Sequence, residues 1–473
     1  MLDLALFLFV AAFLAAGIRH PFIWVLVYLY IDILSPQKIG WSLTPALPIS
    51  LIAFCAAFAG WLLADPKIGS RFTFRQFLMV CLLIYCAVTT ANADFPVDAA
   101  NKWSWVWKAM VFAIFFPLAL TTRLRIEGAT LIMLLSAAAI YISAGIKTVL
   151  AGGGYGSLSV FVNDNSGLYE SSVLACMGIA IIPLILWFTR YGTVFLPDWR
   201  VKLFGYALIF ACLLVPVGTE ARTGLVCIAV LAVLLLRDSK RRLTFIAAAA
   251  LIGTVSLPFL PTSFYDRMST LTAPQRDESA STRVAVWSWT LEYIQQNPFG
   301  GGFDAFRGNK FTYELPVVTE SGNTEAVKFE QVTDEGRAYH SAYFEVLGEQ
   351  GWIGLAIWLL LQFSGLWQME RVRRRWRTRT APGETWQAPL ASALQYAQII
   401  YLVGAIFTGI AYQPLMLMII GLQIALVTLL KRLKFSATPD GGMSAPARLT
   451  AGARHAALQS ERVTPPPQVS SPS

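Results

Sequence analysis

Residues 337–352 read RAYHSAYFEVLGEQGW, and they mark the point where a long polar region gives way to a long apolar run. One of the chain's three histidines, His340, lies at this junction. Histidine titrates near neutral pH, so it can act as a base or as a proton shuttle. A polar segment that ends in a titratable residue beside an apolar helix is therefore a candidate site for chemistry.

The composition around this junction is that of a membrane protein. Hydrophobic residues make up 56% of the 473 residues and charged residues 14%, against about 25% charged residues in soluble domains. Apolar runs of about 16–22 residues recur along the chain, as a helical protein that crosses a membrane several times requires. All six cysteines fall inside apolar runs, which argues against a disulfide framework. We expect an all-α polytopic membrane protein that uses no metal and no cofactor.

Two short apolar runs, 2–16 and 21–34, begin the chain, and each is shorter than the roughly 20 residues that a span needs. They form either a pair of short helices or one helix broken at Pro21. Further spans are predicted near 47–64, 76–92, 103–120, 128–150, 169–189, 203–218, 222–236, 243–260, 342–367, 389–410 and 413–431.

Basic residues cluster in the short gaps between these runs, and the densest cluster is 371–377. Because cytoplasmic loops carry an excess of Lys and Arg, these gaps are assigned to the cytoplasm. The net charge of +9 then reflects membrane topology, so no nucleic-acid partner is expected. The long polar loop faces the periplasm, and the chain crosses the bilayer 12 times if residues 1–34 cross once and 13 times if they cross twice.

This topology divides the chain into four parts. Residues 1–260 hold the N-terminal transmembrane helices, 261–340 form a periplasmic loop domain, 341–434 hold the C-terminal transmembrane helices, and 435–473 form a disordered cytoplasmic tail. The loop has a net charge opposite in sign to that of the whole chain, because acidic residues outnumber basic ones within it.

The loop is expected to contain one amphipathic helix from about 282 to 296, with Ser281 or Thr282 as its N-cap. The helix is indicated by apolar residues at three- and four-residue spacing, namely Val284, Trp287, Leu291 and Ile294. Residues 303–335 are polar and mixed, and we expect them to form a mobile flap.

Three cations lie where helix electrostatics would not favour them. Arg222 begins a predicted span, Arg283 lies in the first turn of the loop helix, and His340 begins the span after the loop. A helix N-terminus already carries about half a positive charge, so three cations there are explained if an anion such as a diphosphate binds among them. The alternatives are that Arg222 snorkels or pairs with Glu220, that Arg283 pairs within the loop, and that His340 is a passive interfacial residue.

Four further residues are predicted to bind substrate: Tyr339, Tyr343, Trp287 and Asn163. The two tyrosines flank His340, Trp287 can stack on a sugar or belong to an aromatic belt, and Asn163 can bind sugar hydroxyls or form a turn. Two carboxylates just inside the following span, at positions 345 and 349, are costly in a membrane. They indicate either a functional site or ion pairs within the bundle.

Four motifs together resemble a known family. Residues 219–224 read TEARTG, 281–287 read STRVAVW, 297–303 read NPFGGGF, and 339–355 read YHSAYFEVLGEQGWIGL. This combination in a polytopic chain is similar to the O-antigen ligase and O-antigen polymerase superfamily. It is most similar to the branch that holds O-glycosylation ligases and lipopolysaccharide O-antigen ligases.

The resemblance implies a metal-independent glycosyltransferase of the GT-C type in the bacterial inner membrane, with about 12 helices and an active site facing the periplasm. It implies transfer of a polysaccharide from undecaprenyl diphosphate to the lipid A–core oligosaccharide. The family's two arginines and one histidine correspond to Arg222, Arg283 and His340. We expect a monomer in the lipid bilayer.

Two alternatives within the superfamily stay open, an O-antigen polymerase and a protein O-oligosaccharyltransferase, because Tyr339 before His340 departs from the Ala-His-Ser form of one branch. An alternative from another class is a transporter of the lipid-linked glycan, which predicts buried charges distributed along several spans.

Overall fold

The computed structural model describes residues 2–65, 67, 70–152, 167–237, 242–244, 247, 254, 278–321 and 324–435. The chain divides into a compact unit of Met1–Leu429 and a short unit of Leu430–Ser473. Apart from the end of the last helix, the structural description below concerns the first unit.

The first half of the described chain is helical. Its helices are α1 (Leu2–Gly17), α2 (Phe22–Leu34), α3 (Pro36–Ile39), α4 (Leu43–Ala46), α5 (Ile49–Leu63), α6 (Phe74–Ala91), α7 (Pro96–Ala119), α8 (Arg123–Ala151), α9 (Ser171–Tyr191), α10 (Trp199–Gly218) and α11 (Arg222–Arg237).

The second half adds helices and one pair of strands. They are α12 (Glu278–Gln296), β1 (Lys310–Ser321), β2 (Thr324–Glu335), α13 (Ala342–Trp376), α14 (Gln387–Gly404) and α15 (Pro414–Phe435). Every predicted span that falls on described residues is therefore a helix, although the ends shift by several residues. The predicted span 243–260 and the predicted tail lie largely outside the described residues.

Six of these helices, α6, α8, α9, α10, α13 and α15, are long and apolar enough to cross a membrane, and α1, α2 and α5 are shorter apolar helices. The count covers only the described part of the chain. It confirms a mostly helical, polytopic membrane protein.

The two N-terminal runs form a pair of helices, α1 and α2, that pack against each other. The indole Nε1 of Trp24 donates to the Leu14 carbonyl at 2.7 Å. At the other end of the pair, the Asp3 carboxylate accepts bonds from the backbone N–H groups and hydroxyls of residues 42–44, which follow α2. The start of α1 therefore lies near the end of α2, as in an antiparallel hairpin, and a single helix broken at Pro21 is excluded.

A break in α13 connects the loop to the bundle. Gly351 interrupts the helix with φ 62° and ψ −168°, a conformation that favours glycine. The carbonyl groups of Gly348 and Glu349 accept bonds from the N–H groups of Gly301 (3.0 Å) and Gly302 (2.9 Å). The backbone at Gly300 passes so close to Gly351 that a side chain at either position would overlap the other segment. The glycine-rich stretch in the loop is thus explained by close backbone contact with α13.

The strands Lys310–Ser321 and Thr324–Glu335 pair antiparallel as a hairpin within the region where the sequence predicted a flap, and Lys310 pairs with Glu335 in its register. The sequence analysis missed these strands, although residues 311, 313 and 315 alternate Phe, Tyr and Leu with polar neighbours. Asn309 closes the base of the hairpin, because its Nδ2 donates to the Arg337 carbonyl at 2.6 Å and its Oδ1 accepts from the Arg337 N–H at 2.9 Å. The hairpin therefore ends directly before Tyr339 and His340.

The loop helix α12 is present, but its buried face differs from the one predicted. Val286, Thr290 and Ile294 are buried at four-residue spacing, whereas Val284 and Leu291 are exposed. The helix begins at Glu278 and not near residue 282. Ser281 and Thr282 therefore lie inside the helix, and their prediction as N-caps is wrong.

Candidate active site

A cavity of about 270 Å³ opens at the end of the bundle that carries residues 339–349. We call this end the His340 end. The cavity is lined by Lys102, Glu170, Phe306, Ala338, Tyr339, His340, Glu345, Glu349 and Gly409. Three helices, one connection between helices and the loop contribute to it, since these residues come from α7, the start of α9, α13, the α14–α15 connection and residues 306–340.

Lys102 organises one wall of the cavity. Its Nζ lies 2.7 Å from Glu345 Oε1 and 2.6 Å from Glu349 Oε1, with Asp304 Oδ1 further away at 3.7 Å. Glu345 also accepts the N–H of Ala411 at 3.0 Å, and Glu349 accepts the N–H of Asp304 at 3.0 Å. The two carboxylates inside the span are therefore ion-paired within the bundle, which was one of the two interpretations that the sequence left open.

Two buried polar atoms at the cavity have no hydrogen-bond partner among the described residues, the hydroxyl of Tyr339 and Oε2 of Glu349. The Tyr339 ring is buried, and it packs edge-on against Phe306 with 5.7 Å between centroids. Buried polar atoms in proteins nearly always have a partner.

His340 stands at the rim of the cavity, immediately before the N-cap residue Ser341 of α13. Its backbone has φ 47°, a left-handed conformation that is uncommon for a residue other than glycine. The pKa of His340 is lowered, first because the protein at the rim of the cavity removes part of the hydration of this exposed residue, and then because Arg283 and Arg337 carry positive charge nearby. The imidazole is therefore neutral at pH 7 and can donate one hydrogen bond and accept another.

The helix α12 is attached to this site through Trp287. Its indole Nε1 donates to the Tyr339 carbonyl at 2.9 Å. Its ring stacks on Phe344 with 4.9 Å between centroids and 3° between planes. Trp287 therefore packs against other residues of the protein, and its contacts hold α12 beside His340.

Arg283 projects from α12 close enough to the cavity to act electrostatically on both His340 and Glu170. It is half-buried and is the sixth residue of α12, so its predicted place in the first helical turn is wrong. The unfavourable interaction with the helix N-terminus therefore does not apply to Arg283. What connects Arg283 with the site is its electrostatic effect on His340 and Glu170.

Arg222 is the first residue of α11, as predicted. Two residues later, Gly224 approaches Ala175 of α9, and Cys227 Sγ lies 3.8 Å from the Ile400 carbonyl of α14. The end of α14 in turn meets α13 where the Ala342 N–H donates to the Ala405 carbonyl at 2.8 Å. Arg222 thus lies at the His340 end of the bundle, although it is outside the set of described residues that line the cavity.

Two predicted substrate-binding residues remain to be placed, Tyr343 and Asn163. The Tyr343 hydroxyl donates to the Leu402 carbonyl at 3.0 Å, and its ring packs edge-on against Trp358. Asn163 lies outside the described residues.

Sequence reasoning missed Lys102 and Glu170. Neither residue was singled out: Lys102 directly precedes the predicted span 103–120, and Glu170 falls within the predicted span 169–189. Lys102 is in the second turn of α7 and its partners are more than 240 positions further along the chain. Glu170 directly precedes α9, a position where a carboxylate near a helix N-terminus has a simple electrostatic reason. Nothing in the spacing shows that either residue faces a shared cavity.

The helices and the cavity define a polytopic membrane protein with a charged, polar site at one end of its bundle. Residues 206–359, which include α12 and the start of α13, match the family model described as O-antigen ligase, and this match supports membership of the O-antigen ligase superfamily. Residues 1–193 match a family of unknown function, DUF5935. No curated protein matches the sequence.

Proposed function

We propose that the protein is an O-antigen ligase of the bacterial inner membrane. It transfers a polysaccharide from undecaprenyl diphosphate to the lipid A–core oligosaccharide on the periplasmic face, without a metal. The observation that carries this proposal is the cavity at the His340 end. It joins His340 to a wall of carboxylates beside Arg283, within the segment that matches the ligase family.

The chemistry of such a transfer fits the residues at this end. The acceptor oxygen forms a bond to the anomeric carbon of the donor sugar, and the bond from that carbon to the diphosphate oxygen breaks. The leaving diphosphate gains negative charge as this bond lengthens. Arg283 and Arg222 supply positive charge at the same end of the bundle, and such fixed charges stabilise a transition state most effectively in a site shielded from water.

The acceptor and donor sugars bring hydroxyl groups to the site. Carboxylate oxygens accept hydrogen bonds from hydroxyls, and the carboxylate residues Glu170, Glu345 and Glu349 line the cavity. The polyprenyl tail is expected to lie between apolar helices in the bilayer. This division between a polar site and an apolar tail matches a substrate that is half sugar phosphate and half lipid.

A deletion strain tests the proposal through the electrophoretic pattern of its surface polysaccharide. Loss of a ligase leaves bare lipid A–core and accumulates polymer on undecaprenyl diphosphate, whereas loss of a polymerase leaves core carrying one repeat unit. Complementation with Arg222→Ala, Arg283→Ala or His340→Ala should fail to restore capped core while folded protein is still made. The control is Arg379→Ala, an exposed arginine paired with Glu384, which should restore it.

A transporter of the lipid-linked glycan is the second candidate, because buried charged side chains also lie outside the lining of the cavity, among them Asp65, Arg75 and Glu127. Arg75 of α6 is almost fully buried, and its Nη2 donates to Gln423 Oε1 at 2.8 Å. Gln423 Nε2 donates to Gln398 Oε1 at 2.9 Å, and Gln398 Nε2 donates to Gln362 Oε1 at 2.7 Å. Movement of labelled lipid-linked glycan across vesicles, with no acceptor modified, would support transport and contradict ligation.

A further inference from the structure

The proposed transfer leaves one question of chemistry unanswered, which is where the proton of the acceptor hydroxyl goes. A base must lie in the cavity within reach of that hydroxyl. The charged and titratable groups that line the cavity or act on it are Lys102, Glu170, Arg283, Asp304, Arg337, Tyr339, His340, Glu345 and Glu349.

Three of these groups are carboxylates that line the cavity, and two of them are already engaged. Lys102 holds Glu345 at 2.7 Å and Glu349 at 2.6 Å. Taking up a proton would break the ion pair of either carboxylate with Lys102, so these two side chains hold the wall of the cavity together. Glu170 lies at the start of α9 and is outside the set of carboxylates that Lys102 binds.

The surroundings of Glu170 adjust its proton affinity. Its pKa is raised to about 7, first by burial and then by the negative charge of Glu345, while the positive charge of Arg283 acts in the opposite direction. A base is most effective when its pKa lies near the working pH, because it is then largely deprotonated and still binds a proton well. By contrast, the pKa of His340 is lowered by partial loss of hydration and by the two arginines near it, which makes its imidazole a poorer proton acceptor.

We propose that Glu170, and not His340, is the general base of the transfer. This inference rests on the proposed function. The acceptor O–H gives its proton to the Glu170 carboxylate while the acceptor oxygen bonds to the anomeric carbon. The electron pair of the broken bond leaves with the diphosphate. His340 donates a hydrogen bond to the diphosphate beside Arg283, and Lys102 holds Glu345 and Glu349 in place.

The first test is the pH dependence of glycan transfer by the reconstituted full-length protein. A base must be deprotonated to work, so the wild-type rate should rise as pH increases through about 7. Glu170→Gln should lower the rate by about 100-fold or more, and its residual activity should lose that rise. His340→Gln should be slower but should keep it. The matched control is Glu292→Gln, an exposed glutamate of α12, which should behave as wild type.

The second test separates a base from a structural residue. Glu170→Ala leaves space beside the cavity, so added formate should restore part of its activity and should leave Glu292→Ala unchanged. Glu170→Gln should bind undecaprenyl diphosphate with the wild-type Kd, because the arginines hold the diphosphate.

Three results would overturn the inference: wild-type transfer by Glu170→Gln, a pH rise that survives in that variant, or weakened diphosphate binding by it. If the wild-type protein moves no glycan under any condition, the proposed function itself fails. If the wild type transfers glycan normally and only the Glu170 results disagree, the ligase assignment stands and the inference alone falls.

Discussion

Lys102→Met is the substitution whose effect on stability follows most directly from the structure. Methionine keeps most of the length of the lysine side chain and removes its charge. Glu349 is fully buried and Glu345 nearly so, and Lys102 is the cation that binds both of them. Without it, two carboxylates face each other across the same cavity wall. Removing one partner of a buried ion pair costs about 3–5 kcal/mol, since it strands the other charge away from water.

Lys102 binds two carboxylates, so removing one carboxylate should cost less stability than removing the lysine. This difference provides a control. Glu349→Gln removes one of the two nearby carboxylate charges and leaves Lys102 paired with Glu345 at 2.7 Å. We expect it to cost about 1 kcal/mol, the net value of one hydrogen bond. Adding Glu349→Gln to Lys102→Met should recover stability, with a coupling energy of about 1–3 kcal/mol. Lys202→Met, an exposed lysine of α10, is the matched lysine control.

The assay is reversible unfolding in mixed micelles, followed by circular dichroism, which gives the free energy of unfolding for each variant. The reasoning would be refuted if Lys102→Met unfolded within about 0.5 kcal/mol of wild type. It would also be refuted if the double variant were less stable than Lys102→Met alone, because stranded carboxylates would then not explain the loss.

Three further predictions concern the elements around the site. Trp287→Phe loses the N–H bond to the Tyr339 carbonyl and should lower the free energy of unfolding by about 1 kcal/mol. Trp287→Ala also loses the ring stacking and should expose α12 to limited proteolysis. Gly351→Ala places a side chain at φ 62° against the loop backbone and should cost about 2 kcal/mol in denaturant unfolding, whereas Gly128→Ala in α8, where a Cβ has space, should not destabilise. Bonds from residues 42–44, the Thr44 hydroxyl first, hold the pKa of Asp3 below its ordinary value. The stability that Asp3 contributes is therefore present above about pH 4 and lost as pH falls below it, so unfolding midpoints of wild type and Asp3→Ala should converge in acid.

The helical architecture could be predicted because burial in a membrane imposes a simple rule on sequence. Every backbone group in the bilayer must bond within its own segment, so long apolar runs become helices wherever they occur. The same rule could not decide between one helix and two at Pro21. That depended on the Asp3 carboxylate meeting residues 42–44, a contact between distant residues.

The loop was less predictable because it is partly polar and its structure depends on contacts with the bundle. Its hairpin carries an alternating pattern, but short and mixed strands give a weak signal beside strong apolar runs. The buried face of α12 is set by its contact with residues 339–344, so Val286 is buried where Val284 was expected. The glycines at 300–302 serve close packing against α13, a contact between segments far apart in the sequence.

The site was predictable only in part, for a related reason. Charge placed against a helix N-terminus indicated Arg222, and the junction between loop and span indicated His340. Arg283 was found through an argument that its position in α12 does not support. Lys102 and Glu170 carry no local signal, because their importance comes from a cavity assembled from segments far apart in the sequence.

Transfer of a labelled glycan by the purified protein in liposomes tests the central claim most directly. The donor is undecaprenyl-diphosphate-linked glycan and the acceptor is lipid A–core. Wild type and Arg379→Ala should form labelled lipopolysaccharide, while Arg283→Ala should be slower by about 100- to 1,000-fold. Undiminished transfer by Arg283→Ala, or movement of the glycan across the bilayer with no acceptor labelled, would contradict the account.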